Sequence, residues 1–110
     1  MNEIISPSCG NVFEDIGLSD AEEMLVKSKL AMSIKDIMED KGLTQVKAAE
    51  IIGMPQPKLS AMLRGQFRGI SEAKMMECIT RLGRDIQIVV NAHEHQTKMR
   101  GRIEVCMAGI

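Results

Sequence analysis

The chain has 110 residues, 45% of them hydrophobic, and a formal net charge of −1. That length suits one compact domain with flexible ends, and the near-neutral balance argues against a protein that coats nucleic acid regardless of sequence. Two phenylalanines against ten methionines point to a soft helical core filled by thioether side chains.

Residues 1–18 mix Gly, Pro, Ser and Asn with short apolar pairs, and are expected to form a flexible arm. Ser19 and Glu22 have the S-x-x-E spacing of a capping box, in which each side chain satisfies an orphan backbone donor. From there Val26, Leu30, Ile34, Ile37 and Met38 recur at helical spacing. They predict a first helix over Asp20–Lys41, stopped by Gly42.

Thr44 is placed to cap a second, Ala-rich helix, Gln45–Ile52, which Gly53 ends. A third helix is expected over Gln56–Arg64. Pro57 is tolerated there because first-turn amides have no helical acceptor. Leu59, Met62 and Leu63 form its apolar stripe. After a Gly-containing loop, Ser71 caps a fourth helix, with Ile70 stapled onto Met75, and Gly83 closes it.

The period then changes. Ile86, Ile88 and Val90 alternate with Gln87 and Val89, and after a polar loop Ile103, Val105 and Met107 alternate with Arg102, Glu104 and Cys106. These stretches predict two strands. The expected fold is therefore mainly α, a bundle of four helices with a C-terminal two-stranded β extension. Its parts are an arm (1–18), a helical domain (19–83) and a strand region (84–110). A short sheet leaves an edge that is covered or paired, so Ile86, Ile88, Val90, Ile103 and Val105 are expected to make a homodimer.

Charge is unevenly spread. Residues 1–40 hold three basic and nine acidic groups, whereas residues 56–84 hold six basic and two acidic. A local basic face can bind phosphates within about a Debye length of ~8–10 Å, even on a neutral chain.

The stretch Leu43–Gly65, LTQVKAAEIIGMPQPKLSAMLRG, reads as two short helices joined by a tight turn, with polar and basic residues on the outer face of the second. A helix of this kind fits the major groove of DNA, and long polar side chains near its N-terminus reach base edges. Gln56, Pro57, Lys58, Ser60 and Ala61 are the candidate base-reading residues. Gln56 can pair with adenine, Lys58 can reach guanine or a phosphate, and Ser60 and Ala61 are short enough for close approach.

The offsets of Leu43, Ala49, Gly53, Leu59 and Met62 resemble the helix-turn-helix of the phage-repressor and Cro-like (XRE) family, implying a lambda-repressor-like fold. The resemblance implies phosphate contacts by Thr44 and Gln45 at the start of the second helix. Arg64 and Arg68, past the end of the third, look like further ones. Two positions depart from the family pattern. Pro55 replaces the usual Ser, Thr or Asp cap, and Lys47 replaces a Glu that often completes a box with Thr44, each weakening a helix end by about 1 kcal/mol or less.

Residues 11–92 also resemble the HigA-type antitoxin branch. That resemblance implies an operon autorepressor with a HigB-type ribonuclease toxin as partner, while the edge-paired dimer expected above would set two recognition helices about 34 Å apart on a palindromic operator. The acidic stretch Glu14–Glu23 offers a surface for a basic toxin. A stand-alone repressor with no toxin, or a protein-binding adaptor, would use the same fold.

Cys9, Cys78 and Cys106 are odd in number and lack CxxC spacing, so they imply neither a zinc knuckle nor a disulfide framework. His93-Glu94-His95 could join Cys106 at a metal, but HxH alone reads better as a polar turn. No nucleophile–base pair or phosphate loop stands out. No enzyme activity, metal or cofactor is expected. No apolar run approaches the roughly 20 residues of a membrane span, and no signal-peptide pattern opens the chain. The expected location is cytoplasmic, with reduced thiols.

Overall fold

The structure is a computed structural model and describes residues 17–92 and 101–107. Four helices follow in order: α1 (Gly17–Lys41), α2 (Gln45–Ile52), α3 (Gln56–Leu63) and α4 (Glu72–Arg81). The long α1 packs across α4 and α3, and α2 packs on α3.

The core is what helical spacing on each element dictates. From α1 come Val26, Leu30, Ile34, Ile37 and Met38. From α2 come Ala48, Ala49 and Ile52, whose small alanines let α2 lie close to its neighbours. Leu59 and Met62 of α3 and Met75, Cys78 and Ile79 of α4 close it. Met54, in the turn after α2, and Phe67 and Ile70, in the loop after α3, are buried with them.

Local chemistry explains most helix ends. Thr44 Oγ1 accepts from Lys47 N–H at 3.1 Å and Ser71 Oγ accepts from Lys74 N–H at 3.1 Å, as their sequence positions require. Pro55 gives α3 no side-chain cap, as expected of it. At Gly53 the backbone turns to φ +82°, a conformation costly for a residue with a Cβ, and the N–H groups of Gly53 and Met54 both close on Ala49 C=O.

Two expectations fail. First, α1 is already helical at Gly17, ahead of the start at Asp20 that a cap at Ser19 would give. Second, the C-terminal two-stranded extension is absent, because neither 84–92 nor 101–107 is in a strand. A strand requires a partner for its backbone, and the alternation of Ile86, Ile88 and Val90 only describes side-chain polarity. The Ile103 N–H, which a ladder would use, donates to the Glu22 carboxylate of α1 at 2.9 Å. Ile86 and Val105 pack against the helical core. Ile88, Val89, Val90 and Ile103 stay 68–89% exposed.

Long-range polar contacts tie α1 to the rest. Lys41 Nζ donates to Leu82 C=O at 2.6 Å, and Arg84 pairs with Asp40 at 3.2 Å, which joins the end of α1 to the end of α4. Near the other end, the Lys27 side chain is buried. It pairs with Glu23 at 3.0 Å and donates to Arg68 C=O at 3.3 Å, fixing the loop after α3 onto α1. A buried ammonium needs such partners, since an unpaired one would carry its full desolvation cost. Among the described residues no helix is long and apolar enough to cross a membrane.

Candidate nucleic-acid interface

The start of α2, the turn at Gly53 and the whole of α3 form one accessible surface. Gly53 makes the two helices adjacent, and the buried stripe of Leu59 and Met62 fixes which side of α3 faces outward. Lys58, Pro57 and Arg64 are exposed on that side. Gln56, Ser60 and Ala61 are half-buried beside them, so all five candidate base-reading residues lie on accessible surface.

The central geometric feature is a contact between the two helix starts. Gln56 Nε2 donates to Gln45 Oε1 at 3.1 Å. Gln45 was expected at a phosphate and Gln56 at a base, and the fold joins their amides. Gln56 retains its carbonyl and one N–H, and Gln45 retains its NH₂. The pair can therefore hold one amide while the other presents both polarities outward. The two residues are eleven apart at equivalent places on neighbouring helices; that equivalence was the available sequence signal for the pairing, which the residue-by-residue reading missed.

Thr44 is exposed, with its hydroxyl oxygen occupied as a cap acceptor and its O–H still able to donate. At the other end of α3, Arg64 Nη1 donates to Ser60 Oγ at 2.6 Å. Arg64 thus holds a neutral hydroxyl and no carboxylate among the described residues. Arg68 is placed differently. Its guanidinium pairs with Asp20 on α1 at 3.2 Å, away from the α2–α3 turn.

Pairing separates the cations into two sets. Lys27, Lys47, Arg68, Lys74, Arg81, Arg84 and Arg102 each sit on a carboxylate. Among the described residues Lys29, Lys35, Lys41, Lys58 and Arg64 have no carboxylate partner; Lys41 donates instead to Leu82 C=O, and Lys58 and Arg64 give the α3 surface positive charge that the fold leaves uncompensated. Phosphates are the natural counter-charge for such groups.

The dimerisation candidates are divided by the fold. Ile86 and Val105 pack on the chain's own core, while Ile88, Val90 and Ile103 face solvent. The sequence reading assigned no interface role to Val89 and Met107, which are 72% and 54% exposed. His93, Glu94 and His95 lie outside the described residues.

A family model described as a helix-turn-helix domain matches residues 12–91. A solved structure named for the XRE family of transcriptional regulators aligns with a TM-score of 0.72 at 31% identity, covering 81% of this chain and 99% of that one. No curated protein matches the chain.

Proposed function

The chain belongs to the helix-turn-helix family, in its XRE branch, and from that premise we propose that it is a sequence-specific repressor that lays α3 in the major groove. The observation that carries the reading is the Gln45–Gln56 amide pair at 3.1 Å, beside cations that have no carboxylate among the described residues. Gln56 and Lys58 read base edges, while Pro57, Ser60 and Ala61 set the distance of approach. Thr44, Gln45 and Arg64 hold backbone phosphates beside them. Arg68 reaches a phosphate only by leaving Asp20, an exposed pair worth less than about 1 kcal/mol.

The protein acts as a homodimer in this reading. Exposed Ile88, Val89, Val90 and Ile103 supply apolar surface that a second copy covers. No strand pairing is required. Sedimentation of wild type and Val90→Glu tests it, with a monomeric wild type refuting the dimer.

The antitoxin role rests on the resemblance of residues 11–92 and receives less support from the acidic surface. Asp20 is on Arg68, Glu23 is on Lys27 and Glu22 accepts from Ile103 N–H, so a basic toxin must compete for each. Purification of the chain with its neighbouring reading frame tests that role. Failure to recover a small basic protein removes it and leaves the repressor.

The decisive experiment is binding to DNA from the chain's own upstream region by fluorescence anisotropy, with salt varied. The expected result is a steep loss of affinity with salt and a weaker complex for Gln56→Ala combined with Lys58→Ala. Equal binding by that variant and wild type overturns the assignment of α3.

A further inference from the structure

A groove of about 260 Å³ opens between the last turns of α1, the start of α2 and the end of α3. Its floor includes Met38 and Leu43, and its rim carries Lys35, Glu39, Gln45 and Arg64. Two of those rim residues already belong to the proposed DNA surface. Gln45 also bonds Gln56, so the groove is continuous with the reading end of α3.

Lys35 is exposed, and its side chain makes no ion pair or hydrogen bond among the described residues. Glu39 stands one helical turn on, at the spacing where a salt bridge could form. Lys before Glu is the weaker order for such a pair, and none is made. The groove therefore presents two uncompensated cations, one from each side, across an apolar floor, with a single carboxylate beside them.

We propose that this groove seats a phosphate of the DNA backbone, gripped by Lys35 from α1 and by Arg64 from the end of α3, with Glu39 limiting the strength of that grip. The proposal rests on the DNA-binding reading and extends the contact surface to a third helix. A phosphate supplies the negative charge that the two cations lack, and a backbone track beside Gln45 passes over this rim. Glu39 repels the same phosphate. It sets a ceiling on sequence-independent affinity, which leaves discrimination to α3.

The test is anisotropy on a duplex selected from a random library and on a scrambled duplex, between 50 and 200 mM salt. One phosphate contact contributes about 0.9 to the slope of log affinity on log salt, or about 3.5-fold over that range. Lys35→Gln is expected to lower affinity for both duplexes alike and to reduce the slope by about 1. Lys35→Arg should restore the slope, and Glu39→Gln should raise affinity for both duplexes without changing the ratio between them. A merely structural role for Lys35 would alter thermal unfolding and leave the slope unchanged. If Lys35→Gln and Glu39→Gln both bind as wild type does while Arg64→Gln weakens binding, the groove lies off the backbone path and the proposal fails. If wild type binds neither duplex, the DNA reading itself fails, and the two failures are distinct.

Discussion

The Gln45–Gln56 contact can be weighed by a double-mutant cycle. If Gln56 reads a base as proposed, Gln56→Ala removes a contact worth about 1–3 kcal/mol, or roughly 5- to 150-fold in affinity. Gln45→Ala would remove the proposed phosphate contact and also release Gln56, whose amide is held at 3.1 Å in the free protein. A neutral amide–amide bond contributes about 0.5–1.5 kcal/mol net, and holding a glutamine side chain in place before binding saves part of an ordering cost of up to about 2 kcal/mol. The phosphate term of Gln45 is present in both halves of the cycle and cancels. The coupling should therefore be about 0.5–1.5 kcal/mol, with the double variant binding about 2- to 13-fold better than the product of the single losses. Anisotropy on a selected duplex measures the four affinities. Selection with Gln45→Ala should also relax preference at the base read by Gln56 and at no other. Losses that add to within about 0.3–0.5 kcal/mol would refute the claim that Gln45 organises the reader.

Leu59→Ala should cost about 2–5 kcal/mol, since Leu59 is fully buried where α3 meets the core. Val46→Ala, at a site 59% exposed, should stay within about 0.5 kcal/mol in the same urea titration, and equal losses would contradict the packing. A hydrogen bond from Lys74 and its charge, then those of Arg81, hold Glu77 below the ordinary glutamate value. Its contribution to stability is accordingly full above the unfolded glutamate pKa and lost as pH falls through the depressed folded value. Glu77→Gln should flatten that acid limb of the stability curve, and an unchanged limb would count against the pairing. Burial pushes the Cys78 thiol up, and the side chain is enclosed, whereas Cys106 is exposed. Iodoacetamide at about pH 8 should label Cys106 in the native protein and Cys78 only in denaturant. Peptide mapping by mass spectrometry checks this, and equal native labelling of the two would refute the burial.

The parts of the fold that were readable from the chain depend on neighbours in sequence. Thr44 finds Lys47 N–H three residues on, Ser71 finds Lys74 N–H, and the apolar stripe of α1 from Val26 to Met38 needs only the helical repeat. What was unreadable depends on partners far away. The alternation from Ile86 to Val90 describes a strand that could form, but forming one requires a second backbone at hydrogen-bonding distance. The Ile103 amide is taken by Glu22, 81 residues earlier. No local pattern announces that contact. Likewise the Ser19–Glu22 spacing is that of a cap, yet helix continues to Gly17 and Glu22 serves another segment.

Charge shows the same division in the site itself. Residues 56–84 hold six basic groups and two acidic ones, and that excess is what first suggests a phosphate-binding role for them. In the folded chain most of the excess is consumed. Arg68 sits on Asp20, Lys74 and Arg81 share Glu77, and Arg84 sits on Asp40. Two of those carboxylates come from the acidic residues 1–40. Lys58 and Arg64 are what remains of the basic stretch, and Lys35, from within that acidic segment, joins Arg64 at the groove. A segment's charge sum thus locates the surface only where its cations escape internal carboxylates. The property that a phosphate detects is the cation left without a partner, and that set is fixed by contacts spanning 44 and 48 residues.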